Sequence, residues 1–292
     1  MKKLLKIGVF LFVAHSVFAD DFYWYATTPD KNFLRVQNWS PNVNPNNSAA
    51  PAGVLNEFIV HHAPYGTAII NSNVNVVNGT INAGAGGSIS IGMINILSGN
   101  VNCNRIQAGM RYYKGIVNIY GGAINLVGIP SRIETTGTLR AFYNGVINFY
   151  AGTVEMDYAL SLSEGGTLNF FNAGNHQKAP NAISDAPIFA KKGDDMYGLR
   201  VGNGTLNVYL GNDLDLAIND VIYLIEYNKG SNSPTFQNVG NGSVMTIDGF
   251  RFRLEMARVV EGADNRRAVA LVALEPVNTK LQRGSVIMIS KL

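Results

Sequence analysis

Residues 117 to 125 read Val-Asn-Ile-Tyr-Gly-Gly-Ala-Ile-Asn, and the phrase recurs along the chain as apolar, Asn, apolar, any, any, Gly, any, apolar, polar. Further copies are VNVVNGTIN from 74, INILSGNVN from 94 and INFYAGTVE from 147. Asn75, Asn95, Asn118 and Asn148 fill the second position, and Gly79, Gly99, Gly122 and Gly152 the sixth. Two looser copies follow: Leu168-Asn169-Phe170-Phe171, with its glycine displaced to Gly174, and Leu206-Asn207-Val208-Tyr209-Leu210-Gly211. The first four copies lie 20, 23 and 30 residues apart, which is the spacing of a repeat architecture.

Each phrase reads as a short strand, a glycine-assisted corner and a second short strand. Alternation turns Val, Ile, Leu and Phe to one face and Asn to the other. Glycine supplies backbone angles that a side chain forbids. A unit this small cannot bury its own apolar face, so the units must stack. The expected fold is all-β: a right-handed parallel β-solenoid, or β-helix, with a C-terminal β cap. Six rungs at roughly 4.8 Å give a rod on the order of 30 Å.

Outward from the repeats, the chain divides into residues 20–60, 61–215, 216–275 and 276–292. The first carries Trp24, Trp39 and a Pro/Asn-rich run, and forms an N-terminal cap. The solenoid occupies 61–215, with a loop excursion at 173–198. Three strand-like segments in 216–275 close its far end, because an unpaired rung edge invites aggregation. Residues 276–292 form a tail.

Residues 1–19, MKKLLKIGVFLFVAHSVFA, combine three lysines, an apolar stretch and a small residue at the end. They read as a secretory signal peptide cleaved before Asp20. The rival, an uncleaved anchor, has an apolar stretch that is broken by His15 and Ser16 and is short for a bilayer. No later stretch approaches 18 apolar residues, so no membrane span is expected in the mature chain.

Composition narrows the functions. The 292 residues hold 23 Lys+Arg and 20 Asp+Glu, and removing Lys2, Lys3 and Lys6 leaves 20 against 20. A polyanion binder needs a basic excess, so nucleic acid is not the expected partner. Cys103 is the only cysteine, which excludes an intramolecular disulfide and a thiolate metal cluster.

The fourth position of the phrase carries Val77, Leu97, Tyr120, Tyr150, Phe171 and Tyr209. On a continuing strand it shares a face with the Asn of position two. Tyr120, Tyr150, Phe171 and Tyr209 then stack beside Asn118, Asn148, Asn169 and Asn207. Rings offer flat apolar contact and amides offer hydrogen bonds, which suits a glycan chain. The same columns also stabilise a coil with no ligand, by amides bonding to one another and rings stacking.

Catalysis has weaker candidates. Asp194-Asp195 with Lys191, Lys192 and Arg200 are the best carboxylate and base set for a β-helix polysaccharide lyase or hydrolase, but nothing fixes their geometry. Asp213, Asp215 and Asp220 lack the spacing of a calcium loop. His61-His62 point to opposite faces of a strand, and His176 stands alone. No metal or other cofactor is expected.

Trp24, the run Asn38-Trp39-Ser40-Pro41, and glycine-bounded units such as GVINFYAG from 145 and GTLNV from 204 resemble secreted bacterial β-solenoid proteins with autotransporter-passenger-like repeats. The closing block NDVIYLIE from 219, then Thr235-Phe236, Gly242 and IDGF from 247, is similar as well. The resemblance covers most of residues 22 to 275. It implies planctomycete or verrucomicrobial relatives, which commonly end in a Pro-Glu-Pro sorting signal with a membrane segment; only Glu275-Pro276 is similar to that signal. The expected protein is secreted or on the bacterial cell surface, non-enzymatic, and structural or adhesive. Its expected partners are extracellular polysaccharide or envelope proteins.

Overall fold

A computed structural model describes residues 21–276, apart from 26–27, 48–54, 61–66, 77, 85–90, 111–112, 133–134, 192–197, 212–213 and 230–234. The segment 1–19, the tail beyond Pro276, and His61, His62, Val77, Lys192, Asp194, Asp195 and Asp213 therefore lie outside the described residues.

The described chain is mostly β, in three sheets whose central strands are all parallel. Successive strands visit the sheets in rotation. Gly79–Ala83 lies in sheet I, Gly92–Ile96 in sheet II and Asn100–Cys103 in sheet III; Arg105–Ala108 then returns beside Gly79–Ala83. Register is kept from turn to turn, with Val117 beside both Ile94 and Ile147, and Ile124 beside both Val101 and Val154. Period-two alternation explains this: a one-residue slip would turn every inward Val, Ile or Leu to solvent. Ile94, Val117, Ile147 and Leu168 stack with no exposed surface, each burial contributing roughly 1.5–3 kcal/mol.

The sequence phrase describes two strands per unit, whereas each full turn has three. The strands it misses belong to sheet I, such as Arg105–Ala108 and Thr138–Ala141, which place polar groups outward and a small Ala inward. One copy is also out of phase. Val74-Asn75 lies in sheet III beside Val101-Asn102, and the partner of Asn95 in the preceding turn is Ile69. Gly79 accordingly opens a sheet I strand and has no positive φ. A strand-corner-strand phrase fits any of the three corners, so the pattern alone could not tell which corner it crosses.

At the corner between sheets II and III, Gly99, Gly122, Gly152 and Gly211 adopt φ of +88°, +87°, +95° and +91°. In the fifth turn Asn172 takes the left-handed role at φ 53°, consistent with its side chain's tolerance of that region. Gly174, expected as the displaced corner, instead lies against Leu214, whose Cδ2 would be 2.1 Å from an added Cβ.

Both ends are closed. Trp39 meets the rings of Trp24, Phe33 and Phe58 edge to face, with centroids 5.2, 5.0 and 5.2 Å away. Its indole N–H donates to the carbonyl of Phe33 at 2.7 Å. At the far end Val221–Asn228 joins sheet III in parallel, and Ala263–Pro276, Phe250–Val260 and Val244–Ile247 extend it antiparallel. Within the expected excursion, Ile188–Ala190 is the sheet III strand of the fifth turn. The stretch before it folds over the cap: Gln177-Lys178 pairs with Val221-Ile222, and the carbonyls of Ala182 and Pro180 accept from Tyr223 and Arg258 at 3.4 and 2.9 Å.

Candidate functional site

Sheet II gives its outer face a regular lattice. Inward positions of Gly115–Ile119 are Val117 and Ile119; Ile116 and Asn118 point outward, and Tyr120 follows at the corner. Five turns repeat this arrangement, setting three columns side by side. One runs Met93, Ile116, Val146, Thr167, Thr205; the second is the asparagines; the third runs Leu97, Tyr120, Tyr150, Phe171, Tyr209.

The asparagines form one hydrogen-bonded chain. Asn118 Nδ2 donates to Asn95 Oδ1 at 2.7 Å, Asn148 to Asn118 at 2.7 Å, Asn169 to Asn148 at 2.7 Å and Asn207 to Asn169 at 2.9 Å. Intervals of 23, 30, 21 and 38 residues are absorbed by loops, so that each amide still meets the next. Asn75 stands apart, its backbone N–H donating to Asn46 Oδ1 at 2.6 Å on the edge of sheet III.

The rings form a second column. Tyr120 and Tyr150 stack with centroids 4.6 Å apart, Tyr150 and Phe171 at 4.4 Å, and Phe171 and Tyr209 at 4.6 Å, with interplanar angles of 15°, 6° and 8°. These separations are close to the spacing between paired strands, so the backbone itself sets the stack. Burial, together with the neighbouring Tyr120 hydroxyl, raises the Tyr150 phenol above its ordinary pKa. The flat ring contact expected for a sugar is thus taken up within the column: Tyr150 and Phe171 have a ring on each face, while Tyr120 remains 42% exposed.

The catalytic candidates do not converge among the described residues. Lys191, following the sheet III strand, pairs with Glu155 at 2.7 Å, whereas Arg200 lies on sheet I. Asp220 Oδ2 accepts from the Ala217 N–H and from Gln177 Nε2, and the Asp215 carbonyl accepts from Gln177 too, which fixes a turn. His176 sits edge to face with Phe170 at 6.0 Å, and burial lowers its pKa. No group of three or more His, Cys, Asp or Glu that could hold a metal occurs among the described residues. No helix among them is long and apolar enough to cross a membrane.

Of two further features, one is read in part from the sequence, as the leading glycine of the units GVINFYAG and GTLNV, and the other is not read at all. A second glycine column, Gly92, Gly115, Gly145 and Gly166, opens the sheet II strands, and an added Cβ would stand 1.9–2.1 Å from the carbonyls of Val60, Ala83, Ala108 and Ala141. Its signal was present as Gly two residues before the strand's first inward residue and three before its Asn in GMIN, GIVN, GVIN and GTLN. The other is polar: on the outer face of sheet I, buried Arg105 donates to Glu57 Oε1 at 3.3 Å and to Asn82 Oδ1 at 3.4 Å. Burial lowers the Arg105 pKa, opposed by Glu57. Nothing in the sequence around Arg105 signals this cluster, whose members are 48 and 23 residues distant.

No protein-family model, no curated protein and no solved structure matches this chain.

Proposed function

We propose that the chain is a right-handed parallel β-solenoid, secreted by a bacterium, that serves at the cell surface or outside as a non-enzymatic structural or adhesive element. The observation that carries this reading is the pairing within the two ladders. The amides of Asn95 to Asn207 bond to one another and the rings of Tyr120 to Tyr209 stack on one another. The residue types that a ligand or a reaction would recruit therefore already stiffen the coil. Right-handedness follows the strong rule for parallel strands joined by crossover connections. The signal-peptide pattern of residues 1–19 supports export, and the resemblance to autotransporter-passenger-like solenoids points to the same place.

The test is to express the whole chain, fractionate the culture and sequence the N-terminus of the recovered protein. Protein outside the cytoplasm beginning at Asp20 is expected; intracellular protein beginning at Met1 overturns the placement. Incubation with polysaccharides, following reducing and unsaturated ends, tests the remainder: release of ends at a rate proportional to protein would make the protein an enzyme.

A further inference from the structure

We infer that the outer face of sheet II is an adhesive surface for an extended, uncharged polysaccharide lying along the asparagine ladder. This rests on the adhesive form of the proposed function and assigns it a face and a ligand class.

The face is open. Of its fifteen outward positions over five turns, fourteen reach solvent and only Asn118 is buried. It is also neutral, since none of the fifteen carries a charge. That sets it apart from the outer side of the cap, where Arg251, Arg253 and Arg258 pair with Glu275 and Glu255. An anionic polymer would find no cation here to offset its desolvation, whereas a neutral one meets hydrogen-bonding groups of its own kind.

The ladder leaves those groups in a row. An amide has two N–H donors and an oxygen with two lone pairs. Asn148 and Asn169 each direct one donor and one acceptor along the ladder. A second donor and a second lone pair are left over on each of these two half-buried amides, on rungs spaced roughly 4.8 Å apart. An extended polymer laid along the coil axis therefore passes the accessible amides in turn and can hydrogen-bond to them with its hydroxyls. The tyrosines border this row roughly 7 Å away, two residues further along each strand. Tyr150 has a ring on each face and meets the ligand by its edge and hydroxyl, whereas Tyr120 and Tyr209, at the ends of the stack, each have a ring on one face only. The Ile116, Val146 and Thr167 column forms the opposite, more apolar border. Every group is held by its neighbours in the coil, so little side-chain entropy is lost on binding.

The test uses the purified protein in affinity electrophoresis and co-sedimentation with neutral β-linked glucans and mannans, and with polygalacturonate and alginate as anionic counterparts. Three proteins are compared: the parent, Val146→Lys, which puts a charge beside the ladder, and the triple Tyr120→Phe, Tyr150→Phe, Tyr209→Phe, which keeps the stack and removes its hydroxyls. Retention by at least one neutral polymer is expected, weakened tenfold or more by Val146→Lys and severalfold by the triple variant, with melting temperatures unchanged. Failure of every neutral polymer to retain the parent overturns the inference, as does preference for the anionic ones. A parent that dimerises, and is made monomeric by Val146→Lys, would make the face a contact between copies of this chain and also overturn it. The structural reading is scored separately: a folded, exported rod that binds no glycan defeats this inference alone.

Discussion

The side-chain amide of Asn238 pairs with both backbone groups of Leu206: its Oδ1 accepts from the Leu206 N–H at 3.1 Å, and its Nδ2 donates to the Leu206 carbonyl at 2.7 Å. It occupies the place of a further sheet II strand beyond Thr205–Val208, helped by the Gln237 N–H donating to the Gly204 carbonyl at 2.8 Å. Asn46 acts alike at the opposite end, accepting from the Asn75 N–H and donating to the Asn73 carbonyl at 3.3 Å. A coil of parallel strands has an adhesive edge at each end, and here single amides cover what a whole strand would otherwise occupy.

Asn238→Ala should therefore uncover the Leu206 edge. We expect a loss of about 1–2 kcal/mol from the two hydrogen bonds and concentration-dependent end-to-end association. Light scattering during a concentration series reads the second effect directly. A variant that stays monomeric across the series would show that the edge is protected by something other than Asn238.

The asparagine ladder makes a graded prediction. Asn148→Ala leaves two neighbours unmatched, Asn118 Oδ1 and Asn169 Nδ2, whereas Asn95→Ala leaves only Asn118 Nδ2. Each orphaned amide group costs about 1–3 kcal/mol, and one of them in either variant lies on buried Asn118. Urea midpoints should fall about twice as far for Asn148→Ala as for Asn95→Ala. Equal losses would mean that the ladder bonds carry no position-dependent weight.

The asparagine and ring columns of this face could be read from sequence because they recur at matching positions: Asn118, Asn148, Asn169 and Asn207 each sit between two apolar residues. Sheet I could not be read that way. Its outward side chains change from Glu57 to Thr80 to Arg105 to Thr138 along one column, so no residue type marks the strand. The phase of the first copy was lost for a related reason. Val74-Asn75 satisfies the phrase as well as Ile94-Asn95 does, and only the hydrogen-bond partners, Val101-Asn102, place it in another sheet. The short strand Ile188–Ala190 was hidden because three residues carry too little alternation to distinguish a rung from the loop around it.

Glycine substitutions should separate close approach from mere abundance. Gly145→Ala would set a Cβ 2.1 Å from the Ala108 carbonyl oxygen, against backbone that cannot yield without moving a neighbouring turn. A loss of about 1–3 kcal/mol is expected. Gly202 has no atom within 4 Å of an added Cβ and no positive φ. Gly202→Ala should leave stability unchanged or raise it by about 0.4–1 kcal/mol, through a less flexible unfolded chain. Thermal melts of the two variants beside the parent decide it, and comparable losses would refute the close-approach reading.

Alkaline pH should weaken the fold through two buried groups. Burial pushes the Cys103 thiol from 9.0 up to about 12, and burial likewise pushes the Tyr227 phenol from 10.0 up to about 12. In both cases the folded state holds the proton more tightly than the unfolded chain does, so the neutral forms contribute stability in full below pH 9. As pH rises from 9 toward 12 the unfolded chain loses these protons first, and stability declines with it. Tyr227→Phe keeps the ring in the core and removes the hydroxyl that donates to the Met256 carbonyl at 2.7 Å. It should cost about 1 kcal/mol at neutral pH and make the decline above pH 10 shallower, leaving the share that Cys103 contributes from pH 9 toward 12. Urea midpoints measured at unit pH intervals from 7 to 11 resolve the two contributions. A Tyr227→Phe protein that loses stability above pH 10 as steeply as the parent would remove this phenol as a source of the alkaline sensitivity.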